Sequence, residues 1–295
     1  MTEHYVLCCC TQRGAGDPFT NKCILGGIMK MRTLLTTFVA ASVVAISAIS
    51  VQAESVKIGF ANEVPWAYPG ENNKPLGFVN VIAQHVLKIA GYDGTESVVS
   101  DWGGLIPGLQ AGRSDMVTGG LYITPTRCIA IVFSDPVAQA YDAFVMSGDA
   151  GIKSYADIIA SGGTFVTGAG YNQVAAWADA GGAADKILEV PGPAEIIAAV
   201  EAGRAVAGGV TVFTAAEAVA KKDGLTMAPI PGSTYYIGFG FNKDNHKLRN
   251  EVNTAIHAYV GTEAMMSDVA EYGYSAANLP GNVSVGEACL LHAND

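Results

Sequence analysis

Apolar and polar positions follow two different rhythms along most of the chain. Alternating or continuous apolar runs, such as 55–62 and 163–167, predict strands, whereas apolar positions three or four residues apart, as in 80–89 and 194–202, predict helices. The same patterns continue in further segments, which predict strands near 96–100, 116–119, 187–190 and 206–210 and helices at 105–111, 125–129, 171–180, 214–222, 245–259 and 262–272. Strands and helices that alternate in this way predict an α/β fold with mostly parallel sheets flanked by helices.

A short internal repeat suggests that the chain forms two related lobes. Segments 108–120 and 199–209 both contain a helix end, an Ala-Gly-Arg turn and then a strand that we expect to end in paired glycines. Coincidence among common small residues is the alternative explanation, but a shared lobe architecture accounts for the order of all three features.

Two extended segments, 140–147 and 234–242, are expected to cross between the lobes as a two-strand hinge that includes Tyr235 and Tyr236. The predicted division assigns residues 54–146 and 239–295 to the first lobe and residues 147–238 to the second. In such sheets a ligand binds beyond the carboxyl ends of the strands, which here means the cleft between the lobes.

The first 53 residues are not expected in the mature protein. The basic residues Lys30 and Arg32 precede an apolar stretch at 34–49, and small residues lead to a predicted signal-peptide cleavage after Ala53. A membrane anchor is the alternative, but the run is short against the ~20 residues of a span. We interpret what precedes Met29 as a non-mature leader or an overextended translation start, with Met1, Met29 and Met31 as candidate starts.

Charge and cysteine content change once this leader is set aside. The 295 residues have a net charge of −10, and residues 54–295 keep 13 basic and 25 acidic side chains, which argues against nucleic acid as a partner. A charged fraction of 15% argues against disorder and a coiled coil. Of six cysteines only Cys128 and Cys289 remain, so we expect one disulfide in a periplasmic protein, with two unpaired buried thiols as the alternative.

Candidate ligand-binding residues follow several predicted strands of the first lobe. Four segments, 62–66, 101–103, 119–122 and 124–127, should meet at one edge of the sheet. They contribute three aromatic side chains and two opposite charges: Trp66, Trp102, Tyr122, Glu63 and Arg127. Aromatic faces attract a cation, a carboxylate accepts its N–H groups, and a guanidinium binds a carboxylate through two hydrogen bonds. The set therefore predicts a small zwitterionic ligand with a flat or delocalised cation.

Each of these residues also has a purely structural explanation. A lone Trp is usually part of a core, and Arg127 could pair with Asp135 or Glu63 at the surface. In the second lobe Tyr171, Asn172 and Thr211 are further candidate ligand contacts, for which helix capping or core packing is the alternative. Motifs of nucleophilic, nucleotide-dependent or zinc enzymes do not occur, so we expect no catalytic residue, metal or cofactor.

The order of motifs resembles the type II periplasmic solute-binding proteins of ABC importers, in the polar amino-acid branch. The sequences A-N-E-x-P-W, I-P-G-L-Q-A-G-R-x-D and G-L-Y-x-x-P-x-R-C are most similar to the ectoine and hydroxyectoine binders of that branch. The resemblance implies an aromatic box of Trp66, Trp102 and Tyr122, with Glu63 on the amidinium and Arg127 on the carboxylate. It also implies a backbone contact from Gly120.

One departure bears on the ligand. Amino-acid binders of the branch usually carry an Asp after the second Gly-Arg, but here no acid follows Arg204 as far as Thr211. We therefore expect a non-enzymatic, monomeric periplasmic protein that captures ectoine or hydroxyectoine and delivers it to a membrane ABC permease. A binder of a polar amino acid or another small zwitterion is the first alternative. An exported lyase of the cyclohexadienyl dehydratase type is the second.

Overall fold

The computed structural model describes residues 55–291, so the predicted leader, the signal peptide and its cleavage after Ala53 lie outside the described residues. The strands are β1 (Ser55–Phe60), β2 (Tyr68–Pro69), β3 (Pro75–Leu76), β4 (Gly94–Val99), β5 (Met116–Val117), β6 (Val132–Phe133), β7 (Ala138–Ser147), β8 (Phe165–Gly168), β9 (Ile187–Val190), β10 (Ala207–Thr211), β11 (Leu225–Ile237) and β12 (Gly240–Phe241). The helices are α1 (Phe78–Ile89), α2 (Leu105–Gln110), α3 (Pro125–Ala130), α4 (Tyr155–Ser161), α5 (Asn172–Asp179), α6 (Pro193–Glu201), α7 (Val212–Lys221), α8 (His246–Tyr259), α9 (Glu263–Val269) and α10 (Val285–Leu290).

Two five-stranded sheets form the centres of two lobes. The first-lobe sheet has the order β4-β1-β5-β12-β6, and the second-lobe sheet has the order β11-β7-β10-β8-β9. In each sheet three neighbouring strands are parallel, β4-β1-β5 or β10-β8-β9, and one strand, β12 or β7, pairs antiparallel with the strands on both of its sides. The predicted two-lobed α/β fold is confirmed, with the antiparallel strands supplied where the chain crosses between the lobes.

The helix pattern predicted from the sequence explains how each lobe is covered. Helix α1 buries most of its apolar positions, at spacings of one, three and four residues, and leaves His85, Lys88 and its last residue Ile89 exposed. Aromatic side chains fill both cores: Phe60, Phe78, Phe239 and Phe241 in the first lobe, and Phe144, Phe165 and Trp177 in the second.

The internal repeat corresponds to two similar helix ends. The Arg113 amide donates to the Gly108 carbonyl at 2.9 Å, and the Arg204 amide donates to the Ala199 carbonyl at the same distance. The glycine before each arginine has a left-handed φ, +70° at Gly112 and +68° at Gly203, as helix ends of this kind require.

The paired glycines of the repeat differ from the prediction. Gly119-Gly120 follows β5, but Gly208-Gly209 lies inside β10 rather than at its end. A Cβ at Gly208 would lie 2.6 Å from Cγ2 of Ile196, and a Cβ at Gly209 would lie 2.5 Å from Cζ of Phe165. Helix α6 and the Phe165 ring therefore approach the strand closely, and the strand continues through the glycines.

The crossing strands are longer than the sequence pattern suggested. Strands β7 and β11 pair antiparallel from Ala138 and Ile237 at one end to Ser147 and Leu225 at the other, with a register shift between Pro229 and Thr234. From Asp142 to Val145 β7 also pairs with β10 of the second sheet, and the predicted lobe boundary after residue 146 falls inside β7. Residues 240–241 form the separate strand β12 in the first sheet. The exact lobe bounds remain a prediction.

Two short helices, α4 and α10, have no counterpart among the predicted elements. Each begins after a capping serine, since the Ser154 hydroxyl accepts from the Asp157 amide and the Ser284 hydroxyl accepts from the Glu287 amide. These serine-acid spacings are the signal that would have predicted both helices. Within residues 55–291, no helix combines the length and apolar character that spanning a membrane requires.

A disulfide joins Cys128 on α3 to Cys289 on α10, across 161 positions of sequence. This pairing settles the two alternatives for the cysteines in favour of the bond. Helix α10 packs Ala288 into the first-lobe core beside these two cysteines. The C-terminal helix is thus tied both covalently and by packing to the helix that carries Arg127.

Replacing both cysteines, Cys128→Ser with Cys289→Ser, should lower the free energy of unfolding by about 2–5 kcal/mol, because the cross-link restricts a long loop of the unfolded chain. Urea denaturation followed by circular dichroism measures this change. A reducing agent should move the wild-type midpoint to that of the double variant and leave the double variant unaffected. Equal midpoints for the oxidised wild type and the double variant would contradict a stabilising role for the bond.

Candidate functional site

An aromatic-lined cavity lies between the two lobes. It contacts eight of the nine residues predicted to bind a ligand, and the ninth, Arg127, lines a neighbouring cavity. The eight are Glu63, Trp66, Trp102, Gly120, Tyr122, Tyr171, Asn172 and Thr211. Strand ends and helix starts from both sheets therefore converge here, as expected for a cleft of this fold class. We call this space the aromatic cavity.

A tight turn after β1 brings Glu63 and Trp66 to the first-lobe wall. The amides of Trp66 and Ala67 donate to the Glu63 carbonyl at 2.7 Å and 3.0 Å. The Trp66 ring is 2% exposed and packs against Phe78 and Phe213, with ring centroids 4.8 Å and 5.2 Å away. Trp66 is thus a core residue and a cavity wall at once.

Gly120 fits closely against the same indole. A Cβ at Gly120 would lie 3.0 Å from Cε3 of Trp66, which is tighter than side chains normally pack. The predicted backbone position therefore lies directly beside one wall of the aromatic cavity. Any side chain here would press on the Trp66 ring.

Two further rings complete the aromatic walls. Trp102 is half-buried, contacts the Tyr171 ring edge-on at 5.2 Å, and donates its indole N–H to the Gly170 carbonyl at 3.3 Å. Tyr122 is buried and stacks on Tyr235, with centroids 4.6 Å apart and planes inclined by 12°. The rings come from both lobes, so the relative position of the lobes sets the shape of the cavity.

Direct hydrogen bonds connect the two lobes across the cavity. The Trp66 indole N–H donates to the Thr211 hydroxyl at 2.7 Å, and the Tyr171 hydroxyl donates to a Glu63 carboxylate oxygen at 2.5 Å. Thr211 also caps α7 by accepting from the Thr214 amide at 3.4 Å, so its capping role and its cavity position coexist. These contacts hold the lobes in a closed arrangement.

The structure places Arg127 on the edge of a neighbouring, larger cavity, which it shares with Tyr171 and Asn172. Its guanidinium donates to the carbonyls of Tyr122 at 3.1 Å and Gly170 at 3.3 Å. It also lies over the Trp102 ring, 5.7 Å from the centroid, and burial lowers its pKa to about 10.

The surface ion pair weighed for Arg127 does not form. Asp135 instead contacts the His257 ring at 3.0 Å. The guanidinium therefore remains at the junction of the two lobes rather than at the protein surface.

A buried acid that the sequence reasoning missed connects the walls. Asp142 on β7 is 1% exposed and accepts from the Tyr122 hydroxyl and from the Asn172 side-chain amide, both at 2.9 Å. Its own amide donates to the Ser233 hydroxyl at 2.9 Å. Burial raises the pKa of this carboxyl to about 7, although the two side-chain hydrogen bonds and the nearby Arg127 charge oppose the shift. The sequence signal that could have identified Asp142 is the presence of an acidic residue within the apolar stretch that forms β7.

Glu63 has the most unusual electrostatics of the aromatic cavity. Burial raises its pKa to about 8, the hydrogen bond from Tyr171 opposes that shift, and the negative charge of Glu195 adds to it. A buried carboxyl in this environment is neutral at neutral pH unless a positive charge arrives beside it. The cavity therefore favours a ligand with a cationic group that can donate to Glu63.

Several other cavity positions were not predicted or differ from prediction. Gln173, Pro193 and Val210 line the second-lobe side, and none was a candidate. Phe213, in the first turn of α7, packs against Trp66 from behind this wall. Tyr235 and Tyr236 belong to β11. In the part of the chain from 55 to 291, no group of three or more His, Cys, Asp or Glu side chains could hold a metal ion.

Comparison with known proteins agrees with this architecture. Residues 56–266 match the model for bacterial extracellular solute-binding proteins, family 3. A probable amino-acid ABC transporter periplasmic-binding protein, y4tE of Sinorhizobium fredii (strain NBRC 101917 / NGR234), is 30% identical over 263 residues, covering 84% of this chain and 87% of the relative.

Solved structures show the same fold. EhuB in complex with hydroxyectoine superimposes with a TM-score of 0.74 at 26% identity, over 80% of this chain and 94% of that one. An ancestral arginine-binding protein bound to glutamine superimposes with a TM-score of 0.67 at 25% identity, over 74% and 97%. The chain belongs to family 3 of the bacterial extracellular solute-binding proteins and is a periplasmic binding protein of an amino-acid-type ABC importer.

Proposed function

We propose that this protein captures ectoine or hydroxyectoine in the aromatic cavity and delivers it to its membrane permease. The observation that carries the proposal is a buried carboxyl, Glu63, enclosed by aromatic rings from both lobes. Ectoine is a small zwitterion with a cyclic amidinium and a carboxylate. Its cation is flat and carries N–H donors, which are the two properties that rings and an acid recognise together.

The cation would lie among the rings of Trp66, Trp102 and Tyr122 and donate to Glu63. Aromatic faces stabilise a desolvated cation by about 2 kcal/mol or more. A betaine is a weaker fit, because its quaternary ammonium has no N–H for the carboxylate. Gly120, Tyr171 and Thr211 complete the proposed contacts around the cation.

The carboxylate would be held by Arg127 and Asn172 at the junction of the two cavities. The bond from Arg127 to the Gly170 carbonyl, at 3.3 Å, is long for an N–H donor and is readily exchanged for a carboxylate. Asn172 opens α5 beside this point, so the first helical turn adds free backbone donors. A modest turn of the guanidinium toward the aromatic cavity would suffice for contact.

The comparisons support the same choice. EhuB, which was solved in complex with hydroxyectoine, superimposes on this chain over 94% of its own length. The absence of an acid between Arg204 and Thr211 removes the usual counter-charge of an α-ammonium. Both points favour an amidinium over an ordinary amino acid.

A polar amino acid is the second candidate, and one observation favours it. Asp142 is a buried carboxylate beside Tyr122 and Asn172, and it could balance an ammonium from the hinge side. The relative y4tE is named as a probable amino-acid binder. The melting-temperature shifts caused by ectoine and by an amino acid, compared below, separate this candidate from ectoine.

We further propose that the protein leaves its ligand chemically unchanged. The neutral Glu63 in the aromatic cavity is a feature that an exported lyase would use, since a general acid needs a pKa near the working pH. Overnight incubation with the ligand, followed by mass spectrometry, distinguishes a binding protein from a lyase. Intact ligand agrees with a binder, and a dehydrated or decarboxylated product contradicts it.

Ectoine and hydroxyectoine should raise the melting temperature of the purified protein and bind in isothermal titration calorimetry.

Trp102→Ala should weaken binding at least about tenfold, through loss of an aromatic face. Because Trp102 is only half-buried, its removal should leave the fold intact. Arg127→Ala should abolish binding. Tyr141→Ala, at a 41% exposed position outside both cavities, is the control and should bind normally. A large shift with an amino acid but none with ectoine would contradict the proposal.

Binding of a cationic solute should also depend on pH. Glu63 is protonated in the free protein below about pH 8, and a bound cation lowers its pKa, so binding releases a proton. Affinity should therefore rise with pH up to about 8 and level off above it. Calorimetry in buffers of different ionisation enthalpy counts the released proton.

The Glu63→Gln variant should bind more weakly and lose this proton release. Glu96→Gln, at an exposed position on β4, is the matched control and should keep both. Unchanged proton release in Glu63→Gln would show that another group is responsible, with Asp142 as the first to test.

A further inference from the structure

Gln173 contributes a buried polar group to the second-lobe wall of the aromatic cavity. It is the second residue of α5, and its side chain is 1% exposed. The side chain lies against β10 at Gly209, where an added Cβ would come within 3.3 Å of its Cγ. The glycine leaves room for the amide, so the sheet and the helix together fix its position.

The amide oxygen of Gln173 has no hydrogen-bond partner among residues 55–291. Buried polar atoms in folded proteins are nearly always partnered, because an unpartnered acceptor loses its hydration without compensation. The other polar side chains of the cavity differ in this respect: hydrogen bonds are present at Glu63, Trp66, Trp102, Tyr122, Tyr171, Asn172, Thr211 and Thr214. Gln173 is therefore the wall residue, among those described, whose side chain carries a fully buried acceptor without a partner.

We infer that Gln173 is a specificity-determining residue whose amide oxygen accepts an N–H or O–H from the bound solute. The inference rests on the proposed function of the aromatic cavity as the ligand site. Glu63 belongs to the first lobe and Gln173 to the second, so a solute contacting both requires the lobes to be closed around it.

This second acceptor narrows the class of solute. A ligand that satisfies both residues carries at least two donor groups besides its carboxylate. An amidinium with two N–H groups has them, and so does a hydroxylated amidinium. A quaternary ammonium solute has neither and would leave the Gln173 oxygen unpartnered in the closed cavity, at a cost in affinity.

Gln173→Met is the sharpest test, because methionine keeps the length of the side chain and removes the acceptor. Its affinity for ectoine and hydroxyectoine, measured by calorimetry, should fall about tenfold to a hundredfold, the loss expected for a hydrogen bond to a charged donor. The melting temperature of the ligand-free variant should stay the same or rise by about 2–4 °C, since an unpartnered buried acceptor is gone. Gln173→Glu, which keeps an acceptor oxygen, should retain more affinity than Gln173→Met.

Gln110→Met is the matched control, because Gln110 is exposed on α2 and lies outside both cavities. It should leave affinity unchanged. Wild-type affinity in Gln173→Met would overturn the inference, and so would a large drop in its ligand-free melting temperature, which would show a structural role. If another solute of a mixed amino-acid and compatible-solute panel stabilises the wild type instead of ectoine, the proposed ligand is wrong. The Gln173 comparison is then made with that solute, and a loss of affinity still supports the inference.

Discussion

A carboxylate buried where the chain crosses between the lobes constrains the whole site. Asp142 lies on β7, and each lobe sends one donor to it, the Tyr122 hydroxyl from the first and the Asn172 amide from the second. A buried carboxylate without such donors is strongly unfavourable, so these groups are held in place relative to each other. Tyr122 in turn stacks on Tyr235, and Asn172 begins the helix that carries Gln173. The geometry of the aromatic cavity thus depends on an acid that does not line it.

The cavity itself is short of positive charge. Glu63 and Asp142 are both buried with raised pKa values, while Arg127 directs its N–H groups to backbone carbonyls of both lobes. Such a site responds to a cation by ionising an acid that was neutral before, so part of the interaction is created by the ligand. Discrimination against uncharged solutes follows from this, because they leave Glu63 neutral and the rings without a charge to face.

Much of this architecture was predictable because local patterns and tertiary packing agree. The apolar spacing of α1 and the Ala-Gly-Arg turns each predict a local structure that the core then stabilises. The aromatic residues were identified from their positions after strands, and Trp66 is both buried in the core and part of a cavity wall.

Asp142 and Gln173 could not be found in the same way. Asp142 lies inside a strand and Gln173 inside a helix, so neither follows a strand end, and only tertiary packing brings them to the cleft. The position of Arg127 was also beyond sequence reasoning, because spacing identifies the helix but not which cavity its guanidinium faces. The long strand β11 was recognised only in its second half, since the register shift after Pro229 interrupts its pattern.

The bond between Cys128 and Cys289 has a topological consequence. All strands of the second-lobe sheet, which include the crossing strands β7 and β11, lie in the sequence between the two cysteines. The second lobe is therefore one stretch of a covalently closed ring. A single break in its backbone opens the ring but releases no fragment, and both new chain ends remain tied to the first lobe. A protein whose second lobe is built in this way keeps its two lobes together even after a protease has cut the second one.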